Sequence, residues 1–321
     1  MNQVIVVGSY NQDHVWVSDE LPAPGATRSG RYLSGPGGKG FNQAVASARS
    51  ATATAFLVAL GDDAAAQHAR ALATGFGIDL IDEVHGDVAT GSAGIFVDAR
   101  GRNVIVVAPG ANAALSTRFI DREAARIRAA VVTLAQLEVD RGAIFRALSI
   151  ARGAGQRTIL NPAPVDAEVD EDLLDVADLI TPNETEFASL CLHILGEKVH
   201  AEDVASSPSS ELHALCRKLH KGSVVITLGS AGCFVSHTEP SAFNEATASY
   251  RIAAIKANAI DTTGAGDAFN GALAAELARD PTQSLAAAIR YASAYAGAST
   301  ERRGAALSMP TRAEVAARST T

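Results

Sequence analysis

Short runs of apolar residues alternate along this chain with longer stretches of helical character. The runs read QVIVVGS near the start, then FLVALG, AAVVTLAQ, RTILNPAP, ADLITPNE and SVVITLGS. Each has the length of a buried strand, and several end at glycine or serine, which interrupt strands. Strands that alternate with helices pair in parallel and are covered by helices on both faces. The order of the elements therefore predicts an α/β fold with a mainly parallel central sheet.

Two segments depart from this alternation. Residues 14–34 are extended and rich in proline and glycine, and residues 93–107 alternate on both sides of a turn at Gly101. We predict that both are exposed hairpin strands that pair into a small β lid over one edge of the main sheet. The remaining residues are then the α/β core: 1–13, 35–92 and 108–321.

A third irregular segment spans residues 190–216. Its middle is polar and contains five small or polar residues in succession: Ser206, Ser207, Pro208, Ser209 and Ser210. We expect this segment to be an excursion on the surface.

Composition argues against several classes of protein. The 321 residues are 47% hydrophobic, and the net charge is −8 with no basic stripe, so we expect no nucleic-acid partner. No run approaches 18 apolar residues and the start lacks a basic segment, so we expect a cytoplasmic protein without a membrane partner. The cysteines are odd in number and widely spaced, which indicates buried, reduced thiols: Cys191, Cys216 and Cys233.

The stretch DTTGAGDAFNGAL, residues 261–273, opens a helix. Phe269, Leu273 and Leu277 recur every four residues, so the helix begins near Gly266 with an apolar stripe. The glycines then lie at the helix N-terminus, where unpaired amide hydrogens and the helix dipole attract anions. This pattern predicts an anion cradle.

Asp267 follows the cradle directly. It could take the proton of an attacking hydroxyl during phosphoryl transfer while the amides stabilise the transferring group. Alternatively, it is only a favourable acid in a first helical turn. The segment alone leaves both interpretations open.

A second glycine-rich stretch, SGPGGKGFNQAVASARS, covers residues 34–50. Gly35, Gly37 and Gly40 match the dinucleotide pattern G-x-G-x-x-G, which suggests a nicotinamide-dependent oxidoreductase as an alternative. Two features argue against it. The first strand ends at Gly8 without this motif, and Lys39 puts a cation in the loop.

Four polar residues near the start of the chain are candidates for binding a polyol. Asn11 and Asp13 follow the first strand, and Lys39 and Asn42 flank the start of a helix. Ligands of open α/β sheets bind at the carboxyl ends of strands, so all four could line one pocket. Taken singly, asparagine and aspartate are also common turn residues.

Five segments together resemble the ribokinase branch of the PfkB carbohydrate kinase family along essentially the whole chain: GSYNQDH, GGKGFNQAVA, TPNETE, TLGSAG and DTTGAGDAF. The resemblance implies a three-layer ribokinase-like α/β fold with a small β-sheet lid. It implies transfer of the γ-phosphoryl group of ATP to the 5-hydroxyl of D-ribose. The implied cofactors are Mg²⁺ with the ATP and a monovalent cation, taken as K⁺.

The resemblance also assigns site residues. Asp267 would be the catalytic base, with an anion hole formed by Gly264, Ala265 and Gly266. The sugar would contact Asn11, Asp13, Gly38, Lys39, Asn42 and Glu138. The nucleotide would lie against Asn183, Glu186, Thr227 and Gly229. The monovalent cation would be held by Asp261, Thr263, Ser299, Arg302, Gly304 and Ser308.

Some points remain open beside the resemblance. Deoxyribose, a ketohexose or a nucleoside are alternative acceptors, and lids of two subunits would pair in a homodimer. Tyr10 and Phe41 depart from the pattern; they either reshape the pocket or, as we expect, pack in the core. Ser293 stands where an adenine-stacking histidine can occur.

Overall fold

The computed structural model describes residues 3–164, 169–239 and 245–318. The strands in these ranges are β1 (Val4–Val7), β2 (Asn11–Ser18), β3 (Arg31–Gly37), β4 (Thr54–Gly61), β5 (Asp79–His85), β6 (Ser92–Asp98), β7 (Asn103–Ala108), β8 (Val132–Ala135), β9 (Arg157–Leu160), β10 (Leu179–Ile180), β11 (Ser223–Thr227), β12 (Cys233–Ser236) and β13 (Ser249–Ile252). The helices are α1 (Lys39–Arg49), α2 (Ala64–Phe76), α3 (Thr117–Arg122), α4 (Ala124–Ala129), α5 (Arg141–Gly153), α6 (Glu171–Asp175), α7 (Glu184–Leu190), α8 (Ala201–Val204), α9 (Ser209–Leu219), α10 (Ala265–Arg279), α11 (Leu285–Ser299) and α12 (Arg312–Arg318).

Nine strands form the main sheet, in the order β13-β12-β11-β10-β9-β8-β1-β4-β5. Pairing is parallel from β11 to β5, and antiparallel between β11 and β12 and between β12 and β13. All six apolar runs of the sequence lie in this sheet, as β1, β4, β8, β9, β10 and β11. The expectation of a mainly parallel α/β sheet is confirmed.

Alternate residues of β1 belong to two different hydrophobic clusters. Val4 and Val6 pack with residues of α1, α2, α10 and α11, whereas Ile5 and Val7 pack with residues of α3, α4, α5 and α9. Since both faces of a parallel sheet must be covered, every second side chain goes to a different helical layer. The result is the three-layer arrangement.

Two glycines bring α1 unusually close to its neighbours. A Cβ on Gly40 would lie 2.4 Å from the amide nitrogen of Ser9, and one on Gly271 would lie 2.2 Å from the carbonyl oxygen of Gln43. Helix α1 therefore sits against the carboxyl end of β1 on one side and against α10 on the other. This contact brings the two glycine-rich stretches of the sequence together.

The four other strands form a separate small sheet, in the order β3-β2-β6-β7. Strands β2 and β3 make one hairpin and β6 and β7 another, and β2 pairs with β6 in parallel. The predicted hairpin strands over residues 14–34 and 93–107 are therefore present. The strands are longer than predicted, because β2 begins at Asn11 and β3 ends at Gly37.

The expected surface excursion over residues 190–216 is wrong in part. The segment contains a π-helical turn at Cys191–Leu195, helix α8 and most of α9. Val204, Leu212 and Leu215 are buried in the same hydrophobic cluster as Ile5 and Val7 of β1. Apolar residues at helical spacing lie on both sides of the polar serines and form these helices.

Two expectations from composition concern cysteines and membranes. All three cysteines are free and buried, as expected. Across the described ranges, no helix combines the length and apolarity that spanning a bilayer requires.

Candidate active site

The two glycine-rich stretches meet at the carboxyl ends of the main-sheet strands. The carboxylate of Asp267, in the first turn of α10, accepts hydrogen bonds from two amides of α1. Nδ2 of Asn42 lies 2.9 Å from Oδ2, and Nε2 of Gln43 lies 2.9 Å from Oδ1. Asp267 is 7% exposed. Both of its oxygens are thus fixed in direction.

The N-terminus of α10 is open beside this carboxylate. Gly264 is the N-cap residue at φ 72°, a left-handed conformation that glycine adopts without strain, and no side chain of the described residues caps the helix. Gly266 is exposed, and a Cβ on it would meet no described atom within 4 Å. The Ala265 amide donates to the Thr262 carbonyl at 3.1 Å, whereas the amides of Gly264 and Gly266 have no acceptor among the described residues. These two amides are therefore available to an anion.

The residues predicted to contact a sugar lie around Glu138. Its Oε2 accepts hydrogen bonds from the Lys39 amide at 2.9 Å and from Oγ of Ser9 at 2.5 Å. Gly38 has φ 88°, and a Cβ on it would lie 2.9 Å from the amide nitrogen of Asn11. These contacts bring residues of β2, of the β8 end and of the α1 start to one place.

Charges are concentrated in this region. Burial, together with the charge of Glu138, raises the pKa of Asp13 to about 6. Burial alone would lower the pKa of Lys39, but the carboxylates of Asp267, Glu138 and Glu186 outweigh it and raise that pKa. Lys39 thus stays a cation among three acids.

Asn183 and Glu186 form a capping box at the start of α7. Oδ1 of Asn183 accepts from the Glu186 amide at 2.8 Å, and Oε2 of Glu186 accepts from the Asn183 amide at 2.9 Å. Asn183 also forms a parallel bridge with Thr227, at the end of β11, and Gly229 follows in a tight turn at φ 50°. Burial raises the pKa of Glu186 despite the Asn183 amide and the Lys39 charge.

The segments predicted to hold a cation also come together. Oδ2 of Asp261 accepts from the Gly304 amide at 3.0 Å, and Oδ1 accepts from the Thr263 amide at 2.9 Å. Burial raises the pKa of Asp261, but these hydrogen bonds outweigh burial and keep that pKa below its usual value. The side chain of Arg302 is directed elsewhere, into an ion pair with Glu314 at 2.6 Å.

The hydroxyls of the two predicted serines are turned to their own main chain. Oγ of Ser299 donates to the Ala296 carbonyl and Oγ of Ser308 to the Ala305 carbonyl. These hydroxyls keep their lone pairs for a cation, as do the main-chain carbonyls, whereas the Arg302 side chain has no lone pair to offer.

Comparison with known proteins decides the family. The sequence profile described as pfkB family carbohydrate kinase matches residues 1–312. The chain belongs to this family.

Individual relatives agree with that result. The chain is 37% identical to a ribokinase from Haemophilus influenzae over 316 residues, covering 96% of this chain and 95% of that protein. It is also 37% identical to a bifunctional ribokinase/ribose-5-phosphate isomerase A from Fructilactobacillus sanfranciscensis, but spans only 55% of that protein's length. The structure of an Arabidopsis thaliana ribokinase complexed with ribose and ATP superposes with a TM-score of 0.84 at 30% identity, covering 98% of both chains.

Membership of the pfkB family confirms the expected fold and the expected class of enzyme. The chain is a carbohydrate kinase with the α/β architecture of solved ribokinases. The dinucleotide hypothesis is wrong: Gly35 and Gly37 lie in β3 of the small sheet, so the motif does not connect a first strand of the parallel sheet to its helix.

The departures from the family pattern have structural explanations. Tyr10 and Phe41 are fully buried and contact each other edge to face, with ring centroids 5.3 Å apart. They pack in the core, as expected. Ser293 in α11 lies beside the thiol of Cys233 in β12.

Sequence analysis missed several polar residues that hold the site together. Gln43 binds Asp267, Asn161 binds Gln43, and Asn112 holds Asn11 through a hydrogen bond from its Nδ2 at 2.9 Å. Asn161 follows β9 directly, and polar residues at that place in a parallel strand are the signal that could have identified it. Gln43 and Asn112 lie on helical turns and carry no such signal.

Proposed function

We propose that this carbohydrate kinase is an ATP-dependent ribokinase that phosphorylates the 5-hydroxyl of D-ribose. The observation that carries the proposal is the buried Asp267 carboxylate beside the uncapped, glycine-lined N-terminus of α10. The similarity to ribokinases, one of them solved with ribose and ATP, supports this donor and this acceptor. ATP as donor favours a cytoplasmic enzyme.

In the proposed reaction Asp267 is the general base. As the 5-oxygen of ribose attacks the γ-phosphorus, its proton passes to the Asp267 carboxylate. A bond forms between the 5-oxygen and phosphorus, and the bond between phosphorus and the β,γ-bridging oxygen breaks, leaving ADP. The amides of Gly264 and Gly266 stabilise the charge on the equatorial oxygens, joined by that of Ala265 once it leaves the Thr262 carbonyl.

Ribose is proposed to bind between the small sheet and the start of α1. Asn11, Asp13, Gly38, Lys39, Asn42 and Glu138 are proposed to contact it. Carboxylates accept hydrogen bonds from pairs of sugar hydroxyls, and Lys39 and Asn42 donate. Residues 14–34 and 93–107 are proposed as a lid domain that covers the sugar, with the rest of the chain as the core.

The nucleotide is proposed to lie against Asn183, Glu186, Thr227 and Gly229. Oε1 of Glu186 accepts no hydrogen bond from the described residues, so it is available to a magnesium ion or to a water bound to one. Among the described residues no three His, Cys, Asp or Glu side chains are placed to hold a metal, which suits an ion carried mainly by phosphates. Mg²⁺ neutralises the triphosphate when it is bound.

A K⁺ ion is proposed beside the anion hole. Asp261, Thr263, Ser299, Arg302, Gly304 and Ser308 would surround it, largely through main-chain carbonyls. Turnover compared in K⁺ and in a bulky organic cation tests this site, and equal rates would remove it from the mechanism.

A homodimer through the small sheets is also proposed. One face of this sheet carries an aromatic group in which the Trp16 ring lies 5.2 Å from that of Phe96 and 5.4 Å from that of Tyr32. Val104 and Val106 of the edge strand β7 share this face and are 52% and 65% exposed. Exposed apolar faces and unpaired edges of this kind favour association.

A coupled ADP-release assay across several acceptors tests the proposed function. D-ribose, 2-deoxyribose, D-fructose and a ribonucleoside are offered with ATP, and we expect the highest kcat/KM for ribose. A higher value for another acceptor would replace ribose but keep the kinase. NADH binding without ATP binding, or binding of ribose and ATP without turnover, would reject the kinase itself.

A further inference from the structure

Behind the proposed active site, buried polar groups form a closed ring of hydrogen bonds from the Asp267 carboxylate back to the Gly266 carbonyl. We propose that this ring holds the catalytic base and the anion hole in fixed register, with Gln43 as a positioning residue. The proposal rests on the proposed function and adds to it residues that do not touch substrate.

Gln43 begins the ring on the side of the base. Its Nε2 donates to Oδ1 of Asp267 at 2.9 Å and also to Oδ1 of Asn161 at 3.0 Å. Its Oε1 accepts from Nε2 of Gln136 at 2.6 Å. Every polar atom of the Gln43 side chain is thus engaged, which fixes the orientation of its amide and with it the plane of the Asp267 carboxylate.

The ring closes through two residues that follow main-sheet strands. Nδ2 of Asn161 donates to the Thr181 carbonyl at 3.2 Å, and Oγ1 of Thr181 donates to Oδ1 of Asn270 at 2.5 Å. Nδ2 of Asn270 then donates to the Gly266 carbonyl at 2.9 Å. Gly266 is bonded to Asp267 in the chain, so the ring is complete.

This last hydrogen bond acts on the peptide that joins the anion hole to the base. The carbonyl of Gly266 and the amide of Asp267 belong to one planar trans peptide, so fixing the carbonyl also fixes the direction of the N–H. In a helix the N–H points the opposite way to the carbonyl, toward the N-terminus. The ring therefore orients the Asp267 amide, which follows the anion-hole residues Gly264, Ala265 and Gly266, and a carboxylate oxygen of the base from one framework.

Burial makes the ring rigid. The side chains of the ring are 0% to 7% exposed: Gln43, Asn161, Thr181, Asn270 and Asp267. A buried polar group that loses its partner is costly, so each member holds its neighbours in one arrangement. The members come from α1, α10 and the ends of β9 and β10, so the ring joins both glycine-rich segments to the main sheet.

The first test replaces Gln43 with methionine, which keeps the volume and removes the hydrogen bonds. We expect kcat to fall about tenfold to a hundredfold, the scale of a misplaced reacting group. The KM values for ribose and ATP should stay within about twofold, because Gln43 touches neither substrate. A residue with only a structural role would lower the melting temperature and leave kcat unchanged, and that result would overturn the proposal.

The second test removes a single hydroxyl without changing side-chain volume, so the protein stays folded. Thr181→Val is isosteric and removes the hydrogen bond to Asn270, and we expect kcat to fall about threefold to tenfold. Thr133→Val is the matched control: Thr133 is a fully buried strand threonine whose hydroxyl forms no hydrogen bond with a described residue. Equal kcat in the two threonine variants would contradict the ring.

A double variant tests whether the ring acts as a unit. If it does, Gln43→Met with Thr181→Val has a kcat within about twofold of Gln43→Met alone, because the ring is already broken. If the kcat losses of the two single variants multiply in the double variant, the two residues act independently and the ring does not act as a unit. The variants are measured on whichever acceptor the wild-type protein uses, so an error in the ribose assignment does not affect this result.

Discussion

The two sheets of this molecule differ in almost every physical respect. Strand β4 of the main sheet is buried along its whole length, whereas strand β7 of the small sheet is exposed along its whole length. The main sheet is mainly parallel and covered by helices on both faces, and the small sheet is built from two hairpins with apolar side chains in solvent. Close packing on both sides makes the first sheet rigid.

The proposed functions are also divided between the two sheets. The base, the anion hole and the ring behind them depend on the main sheet and its helices. Asn11 and Asp13, by contrast, lie on β2 of the small sheet and are proposed to contact sugar. We therefore expect changes near the main sheet to alter kcat and stability, and changes in the small sheet to alter KM and association.

The largest effect is expected at Asp267. Asp267→Asn removes the proton acceptor and should lower kcat at least about a hundredfold, while the protein stays folded and still binds ATP. Steady-state kinetics measure kcat, and calorimetric titration measures ATP binding. Asp62→Asn, at an exposed acid, is the control and should leave kcat unchanged. Near-normal turnover in Asp267→Asn would remove the general base from the mechanism.

The next effect is expected in the small sheet, at Asp13. Asp13→Asn should raise the KM for ribose about tenfold, the loss of a hydrogen bond to a charged acceptor, and change kcat less. The wild-type pKa of about 6 adds a pH dependence. Below pH 6 the carboxyl is protonated and accepts fewer hydrogen bonds, so the KM for ribose should rise as pH falls from 7 to 5.

The Asn variant is the control for that profile and should give a KM independent of pH in this range. The pH dependence of stability runs opposite to that of sugar binding. Because the folded-state pKa of Asp13 lies above its unfolded value, ionisation costs stability progressively as pH rises from about 4 to about 6. A KM that stays flat in the wild-type protein would separate Asp13 from sugar binding.

A smaller effect is expected where α1 meets α10. Gly271→Ala places a methyl group against the Gln43 carbonyl and should lower the free energy of unfolding by about 1–3 kcal/mol. It should also lower kcat, since α1 carries Asn42 and Gln43. Gly75→Ala, on α2 where a Cβ meets no described atom within 4 Å, should instead stabilise by about 0.4–1 kcal/mol. Thermal unfolding of both variants would show equal shifts if the contact were unimportant.

The smallest effect on the stability of a single subunit is expected from changes on the aromatic face of the small sheet. Val104→Lys with Val106→Lys should convert a dimer to a monomer with no loss of melting temperature, because both residues are already exposed. Size-exclusion chromatography with light scattering at micromolar concentration measures this. Asn103→Lys on the same strand should leave the dimer intact. A wild-type protein that is monomeric under these conditions would reject the dimer.

Sequence reasoning reached the parallel sheet because its buried strands are continuous apolar runs. It missed β5, whose sequence DLIDEVH carries three acids, because this strand is at the sheet edge and only partly buried. It also treated residues 190–216 as surface, because the serines there obscured two amphipathic segments. A strand can be recognised from its sequence when both of its faces are buried, because its residues are then uniformly apolar. An edge strand such as β5 depends on its tertiary neighbours, and its sequence does not show them.

What the sequence determined by itself is local: glycines before a helix, an acid in its first turn, and polar residues after strands. These features depend on dihedral angles and on unpaired amides within a few residues. Only the tertiary structure decided what surrounds the acid. Gln43 and Asp267 are 224 positions apart, and Thr181 and Asn270 are 89 apart. Hydrogen bonds between such residues follow from helix packing, which no short pattern of residues encodes.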